Sequence, residues 1–184
     1  MSLTSFTSYE GRQLFKEALN AGMVENYFSL VGNFTTQTET SYCGLGSLAM
    51  VLNAMEVDPG QTWKGVWRWY SDEMLECCAP LDLVKEKGIT LEQFVCLAKC
   101  HGLEARSQRF DHTTYDQFKA DLYKTATEPG HHMVISFDRA SLGQTGIGHF
   151  SPIGAYHAEK GLCLVLDVAR FKYPSYWAPI EMIW

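Results

Sequence analysis

The chain has 184 residues, of which 46% are hydrophobic and 20% charged, with a formal net charge of −6. A chain of this length buries roughly 70% of the surface that its unfolded form exposes, so a core can form without disulfides or a structural metal. The negative charge and the lack of basic runs argue against a nucleic-acid or anionic-membrane binder. No apolar stretch reaches the roughly 18 residues of a membrane span, and the N-terminal segment lacks the basic-then-apolar order of a secretory signal. The sequence therefore predicts a cytoplasmic protein.

The first part of the chain has the periodicity of helices. Thr7 and Glu10 are spaced as a capping box and predict the start of a first helix. A second, shorter helix is predicted for residues 24–31. From Gly44 onward apolar residues occupy most faces of a helical repeat, which predicts a buried helix that ends before Asp58.

The second part of the chain changes from helices to strands. Thr90 and Gln93 form another capping box, and a further helix is predicted from Tyr115. After residue 131 the sequence shows β-branched and alternating runs at residues 132–137, 148–156 and 162–168. Helices followed by an antiparallel sheet predict an α+β domain rather than alternating βαβ units. No repeat or linker divides the chain, which predicts a single domain over residues 1–184.

Cys43 is the candidate nucleophile. It lies where a polar run meets the predicted buried helix, so its sulfur is expected beside the free N–H groups of a helix N-terminus. That position favours the thiolate and predicts a lowered thiol pKa. The alternative interpretation is a small buried hydrophobic residue.

His149 and Asp167 lie in two successive predicted strands joined by a turn near residues 157–161. A turn centred on residue 158 or 159 places the two side chains on the same face of an antiparallel pair, where they can touch. A turn displaced by half a residue would separate them. A carboxylate bound to one imidazole nitrogen leaves the other free to take the thiol proton, which makes these residues candidate catalytic partners of Cys43. The alternative is a purely structural hydrogen bond.

Two further residues are candidates near this centre. The side-chain amide of Gln37 could stabilise an oxyanion together with the Cys43 backbone N–H, unless it is an ordinary solvated glutamine. Gly148 ends a glycine-bearing loop that begins at Gln144, where backbone could approach a ligand closely. A simple hairpin turn would explain the same glycines.

Four segments of the sequence together resemble one known family. They are TSYCGLGSLAMVLNA at residues 40–54, WKGVWRWYSDEMLECC at 63–78, QTGIGHFSPIGAYHA at 144–158 and LDVARFKYP at 166–174. In this order they resemble phytochelatin synthases, and the resemblance extends from about residue 9 to the end of the chain. It implies a papain-like catalytic domain with a Cys-His-Asp triad at Cys43, His149 and Asp167, and an oxyanion glutamine at Gln37.

The resemblance implies a γ-glutamylcysteine dipeptidyltransferase that makes phytochelatins from glutathione through a Cys43 acyl-enzyme, in heavy-metal detoxification. Two alternatives stay open: a glutathione hydrolase that releases glycine, and a metal-thiolate binding module without turnover. No organic cofactor is implied, and Cd or Zn would act as an activator, mainly as the metal-glutathione thiolate. The expected partners are glutathione and phytochelatin peptides, without nucleic acid or membrane, and a homodimer is kept as an alternative to a monomer.

Residues after Asp167 are candidates for substrate binding. Arg170 could pair with a substrate carboxylate in bidentate fashion, and Lys172 and Tyr173 follow it in the same segment. A solvated strand end is the alternative. Plant-type members of the family carry a cysteine-rich C-terminal region, and this chain stops at Trp184, so it is expected to be a catalytic domain without its C-terminal extension.

The chain contains six cysteines: Cys43, Cys77, Cys78, Cys96, Cys100 and Cys163. Without a secretory signal they are predicted to be thiols or metal ligands rather than disulfides. Cys96 and Cys100 share one face of a helix, and with Cys77 and Cys78 they could bind Zn or Cd. The alternative is a partly buried helix face that binds no metal.

Overall fold

The structure is a computed structural model and describes residues 2–184. The α-helices in this range are α1 (Tyr9–Asn20), α2 (Tyr27–Gly32), α3 (Cys43–Ala54), α4 (Leu81–Lys87), α5 (Leu91–Cys100), α6 (Tyr115–Thr127) and α7 (Ile180–Ile183). The strands are β1 (Thr4–Ser5), β2 (Val134–Asp138), β3 (Gly148–His157), β4 (Leu162–Val165) and β5 (Tyr176–Pro179). Most helices precede a mainly C-terminal sheet, which confirms the predicted α+β class. None of the helices described in residues 2–184 has the length and apolar character needed to cross a membrane.

The five strands form one antiparallel sheet in the order β1-β5-β4-β3-β2. The sequence did not predict two of them. β1 has only two residues, too few for any periodicity. β5 is buried along its whole length and ends at Pro179, so it shows no alternation of polar and apolar residues.

The N-terminal boundaries of the first two helices differ from the prediction. Ser8, not Thr7, caps α1, because its hydroxyl accepts a hydrogen bond of 3.0 Å from the backbone N–H of Gly11. The second helix begins at Tyr27, three residues later than predicted. The capping box of Thr90 and Gln93 is present at α5 as predicted.

Helix α3 lies at the centre of the core, as its apolar composition predicted. On one side Met50 packs with residues of the sheet that include Leu164 and Trp177. On another side Leu48 packs with Leu97 of α5. Ten consecutive residues of α3, from Gly44 to Asn53, are buried. This packing fixes the position of Cys43, the first residue of the helix.

The pairing of β3 with β4 contains a β-bulge at Gly154. Tyr156 pairs with Cys163 near the turn, whereas Ile153 pairs with Val165 on the other side of the bulge. A Cβ at position 154 would lie 2.9 Å from Leu166 Cδ1, so glycine leaves room for the Leu166 side chain. The extra residue shifts the register by one. Residues of β3 beyond the bulge therefore share a face with a different set of residues in the segment that they oppose.

The bulge determines which side chains meet at the far end of β3. The register next to the turn, if continued, would place His149 opposite Arg170, with Asp167 on the other face of the sheet. Beyond the bulge, Leu166 N–H donates to the Pro152 carbonyl, and His149 comes to the same face as Asp167. The predicted meeting of these two residues is therefore confirmed, although the turn itself has the offset that would have separated them.

His132, two residues before the start of β2, makes the unfolding free energy depend on pH. Its Nδ1 is buried and has no hydrogen-bond partner within residues 2–184. Burial, with a smaller contribution from His131, lowers the pKa of His132 to about 4. Between this value and the ordinary pKa of histidine, the unfolded chain binds more protons than the folded one. Stability is therefore lost as the pH falls through this window.

We expect His132 to account for a loss of roughly 3 kcal/mol of unfolding free energy between pH 7 and pH 4. His132→Gln places a neutral amide at the same position and should remove this part of the pH dependence. Urea denaturation of both proteins at several pH values measures the difference. An identical pH dependence in the variant would show that His132 does not carry this effect.

Candidate active site

Cys43 begins α3 and is half-buried. Burial raises the pKa of its thiol above the ordinary value, although main-chain hydrogen bonds with Phe150 and Gly44 and the charge of Arg139 act in the opposite direction. The predicted lowering of this pKa is therefore wrong for this structure. The helix begins where it was predicted to begin, but local spacing does not indicate how far the sulfur is removed from water.

The start of α3 is held against β3 beside His149. Ser47 Oγ donates a hydrogen bond of 3.1 Å to the Phe150 carbonyl. The Phe150 ring stacks on Phe94 of α5, with ring centroids 5.3 Å apart. A Cβ at Gly44 would lie 3.4 Å from the same ring. Helices α3 and α5 thus meet β3 next to His149, which brings Cys43 into its neighbourhood.

His149 and Asp167 form a buried pair. His149 Nε2 lies 3.1 Å from Asp167 Oδ1 and 2.8 Å from Ser151 Oγ, and the two residues of the pair are 4% and 0% exposed. Because Nε2 is occupied, Nδ1 is the ring nitrogen left to exchange a proton with a thiol. Within residues 2–184, no hydrogen bond joins the Cys43 sulfur to the His149 ring, whose Nε2 is bound to Asp167 and Ser151.

The electrostatics of this pair favour a neutral histidine beside a charged aspartate. Burial lowers the pKa of His149, and this outweighs the opposite effect of the hydrogen bond with Asp167. Burial raises the pKa of Asp167, but hydrogen bonds with His149 and Arg139 outweigh it and leave the pKa below its ordinary value. A neutral imidazole held by a carboxylate can act as a proton acceptor.

Arg139 is a buried residue of this site that sequence reasoning missed. Its Nη1 and Nη2 donate to Asp167 Oδ2 and Oδ1 at 2.9 and 3.0 Å, and the side chain is 3% exposed. Nη1 also donates to Gln144 Oε1 at 2.5 Å. Arg139 lies in a 3-10 turn directly after β2. Nothing in its local sequence distinguishes it from a surface arginine, because its partner is 28 residues away.

The loop from Gln144 to Gly148 is fastened to the segment after Asp167. The Tyr173 hydroxyl accepts a hydrogen bond of 2.7 Å from the Thr145 N–H, and Lys172 Nζ donates to the Thr145 carbonyl at 2.5 Å. Gly146, with φ of 108°, is the glycine that this loop requires, since a Cβ there would lie 3.0 Å from Lys172 Nζ. Gly146 thus serves both the turn and the close approach of Lys172, whereas a Cβ at Gly148 would meet open space.

The predicted substrate residues lie around this loop. Gly148 is exposed at the start of β3, opposite Asp138. Arg170 is exposed, and its Nη1 donates to the Tyr173 carbonyl at 2.5 Å. The Tyr173 ring lies 4.8 Å from the Arg139 guanidinium carbon. The structure thus places these residues beside the triad candidates, and their binding of substrate stays a prediction.

Gln37 is 3% exposed and is not a solvated surface residue. Its Nε2 donates to the carbonyls of Glu39 and Thr40 at 2.8 and 2.9 Å. Its Oε1 is buried without a hydrogen-bond partner among residues 2–184. The amide thus shapes the loop that leads to Cys43, and both of its N–H groups are engaged in this structure. The oxyanion role stays a prediction that requires the amide to exchange partners.

The four cysteines outside the core are paired, which corrects the prediction of free thiols. Cys77 is bonded to Cys100, and Cys78 to Cys96. The expected cytoplasmic location does not indicate which side chains lie close enough to bond. Cys77, Cys100 and His101 also have ligand atoms within 4.8 Å of one another, so this group could hold a metal ion when reduced. Cys163 is fully buried, which raises its pKa to about 12.

A cysteine at a helix start beside a histidine–aspartate pair is typical of enzymes that transfer acyl groups through a thioester. The family model for phytochelatin synthase matches residues 1–184. The chain belongs to the phytochelatin synthase family, as its sequence motifs predicted.

Several curated proteins are similar to the chain. It is 51% identical over 179 residues to glutathione gamma-glutamylcysteinyltransferase 1 of Triticum aestivum, covering 97% of this chain and 36% of that protein. It is 49% identical over 179 residues to glutathione gamma-glutamylcysteinyltransferase 2 of Arabidopsis thaliana, covering 97% and 40%. The corresponding protein of Schizosaccharomyces pombe is 46% identical over 180 residues, with 98% and 44% covered. The chain thus spans less than half the length of these relatives.

Proposed function

We propose that the chain is a single papain-like catalytic domain that transfers γ-glutamylcysteine from glutathione, as the names of its relatives suggest. The observation that supports this most strongly is the buried His149–Asp167 pair, held 3.1 Å apart beside the start of α3. In this proposal Cys43 is the nucleophile, His149 transfers protons, and Asp167 orients His149. The substrates are glutathione and phytochelatin peptides.

The first half-reaction forms a thioester. The Cys43 thiol gives its proton to His149 Nδ1 as the sulfur attacks the carbonyl carbon of the Cys–Gly bond in glutathione. The tetrahedral intermediate then breaks its C–N bond, and His149 returns the proton to the leaving glycine amine. The Cys43 backbone N–H is a donor for the oxyanion, joined by Gln37 if its amide turns.

The second half-reaction transfers the acyl group to an amine. His149 takes a proton from the α-amine of a second glutathione or a phytochelatin, which attacks the thioester carbonyl. The C–S bond breaks, a new peptide bond forms, and Cys43 recovers its proton. Water in place of the amine would give hydrolysis. Retention of the acyl group until an amine arrives therefore separates transferase from hydrolase.

The raised pKa of Cys43 fits proton transfer during the reaction rather than before it. Burial keeps the thiol protonated at rest, and the neutral His149 is ready to accept the proton. Asp167 then stabilises the imidazolium that forms. A thiol that stays neutral until substrate is bound is also less prone to oxidation.

Thiophilic ions enter this proposal as part of the substrate. Cd²⁺ or Zn²⁺ bound to glutathione thiolates would present the free amine of a metal-thiolate complex to the acyl-enzyme. The metal is then cargo, which this chain's own residues need not coordinate for the reaction. The proposal also includes the detoxification of heavy metals in the cytoplasm, with a homodimer as an alternative to a monomer.

Incubation with glutathione and Cd²⁺, followed by chromatography and mass spectrometry of the products, tests the activity. We expect oligomers of the form (γ-Glu-Cys)n-Gly together with free glycine. Cys43→Ala should abolish both products. Release of γ-Glu-Cys and glycine without oligomers would identify a hydrolase. Undiminished products with Cys43→Ala would exclude Cys43 as the nucleophile.

A further inference from the structure

Four cysteines outside the catalytic centre form a compact group at the surface. Cys77, Cys96 and Cys100 are exposed, and Cys78 is partly exposed. Cys77 Sγ lies 3.9 Å from Cys78 Sγ and 3.8 Å from His101 Nε2. Small thiols and disulfides can therefore reach the group, in contrast to the fully buried Cys163.

The arrangement of the backbone fits two parallel crosslinks. Cys77 and Cys78 are adjacent in the segment before α4, whereas Cys96 and Cys100 lie one turn apart on one face of α5. The two bonds, Cys77 to Cys100 and Cys78 to Cys96, join the same two elements. They fasten the segment before α4 to α5.

Both fastened elements reach the candidate active site. Upstream of the cysteine pair, Asp72 accepts a hydrogen bond of 2.8 Å from the backbone N–H of Thr38, next to Gln37. On α5, Phe94 stacks on Phe150, next to His149. The crosslinks therefore join two segments, each of which contacts a neighbour of a candidate site residue.

We propose that these four cysteines are a thiol–disulfide exchange site for a small thiol and its disulfide. In each oxidation a cysteine thiolate attacks the small disulfide and releases one small thiol, and a second cysteine then displaces the other small thiol. Two molecules of small disulfide thus become four of small thiol, while four protein thiols become two disulfides. A small thiol drives the reverse reaction.

The two states of the site differ in their capacity for soft metal ions. Four thiols beside His101 offer the ligands that Zn²⁺ and Cd²⁺ prefer, and they release protons as the ion binds. The same sulfurs in disulfides no longer supply thiolates. Metal binding and crosslinking at this site therefore exclude each other, and this holds whether or not the chain turns over glutathione.

Pairs of cysteine variants test the exchange site, all in a Cys43→Ala background so that the only other thiol is the buried Cys163. The matched variant Cys77→Ser with Cys100→Ser keeps the partners Cys78 and Cys96. The mismatched variant Cys77→Ser with Cys96→Ser keeps Cys78 and Cys100, which are not partners. Both variants remove two exposed cysteines, so an effect of cysteine loss alone would be the same in each.

After treatment with oxidised glutathione, trypsin digestion without reductant reports the crosslinks. We expect the matched variant to join the peptide of residues 69–85 to that of residues 88–99, and reduced glutathione to separate them. The mismatched variant should carry glutathione mixed disulfides instead. Equal crosslinking in the two variants would overturn the proposal. So would four unmodified thiols in the Cys43→Ala protein that keeps all four surface cysteines, after the same treatment with oxidised glutathione.

Zinc binding gives a second measurement that does not depend on catalysis. Equilibrium dialysis with Zn²⁺ should show about one ion per reduced chain and a loss of at least tenfold in affinity after oxidation. Equal affinity of the oxidised and reduced protein would contradict mutual exclusion. Because neither measurement uses glutathione turnover, failure of the proposed enzymatic activity would leave both results interpretable.

Discussion

Replacing Arg139 by leucine is expected to lower the free energy of unfolding at pH 7 by about 3–5 kcal/mol, because an uncompensated charge then remains buried. Asp167 is 0% exposed, and the two N–H groups of Arg139 bind its two oxygens at 2.9 and 3.0 Å. Without the guanidinium, the effect of burial on Asp167 is opposed by His149 but no longer by Arg139, so the pKa of Asp167 rises relative to that in the unmodified protein. Urea denaturation measures the loss.

Two further variants separate charge from packing at this position. Arg139→Lys keeps a positive charge without the planar pair of donors and should lose less stability than Arg139→Leu. The double variant Arg139→Leu with Asp167→Asn removes both charges and should recover part of the loss. A loss below about 1 kcal/mol in Arg139→Leu, typical of an exposed ion pair, would contradict the account of a buried one.

Asp167→Asn is expected to reduce kcat on the order of 10³–10⁴-fold with a much smaller change in KM, as in triads where the histidine tautomer is set by a carboxylate. The asparagine amide can donate to His149 Nε2, which places the ring proton on Nδ1. In that tautomer His149 cannot accept the proton of Cys43. Steady-state kinetics with glutathione measures the effect.

The matched control is Asp111→Asn, which makes the same chemical change at an exposed aspartate. Asp111 lies 3.7 Å from Arg109 in an exposed ion pair. The turnover of the Asp111→Asn variant should equal that of the unmodified protein. Unchanged kcat in Asp167→Asn would remove Asp167 from the proposed mechanism.

The sequence predicted the parts of the site that depend on local periodicity. The apolar pattern after Gly44 indicated a buried helix, and Cys43 lies at its start. The pairing of His149 with Asp167 was predicted from a simple turn, but it depends on the bulge at Gly154. A single glycine within an apolar strand did not reveal that bulge, since glycine there also fits ordinary close packing.

The remaining features depend on distances that local patterns do not contain. Arg139 binds Asp167 across 28 residues of sequence. The disulfide partners come together only because α5 packs against the segment before α4. Likewise, the direction of the Cys43 pKa shift is set by burial, which outweighs the main-chain hydrogen bonds and the charge of Arg139. Each of these properties arises from tertiary packing rather than from residue spacing.

The most direct test of the proposed mechanism is mass spectrometry of the protein shortly after mixing with glutathione and quenching in acid. We expect the Cys43 peptide to carry γ-Glu-Cys as a thioester, formed as glycine leaves. This adduct should survive a thiol-free reductant at acid pH, whereas a mixed disulfide with glutathione would not. An unmodified Cys43 under active turnover, or an adduct on another cysteine instead, would contradict the assignment of Cys43 as the nucleophile.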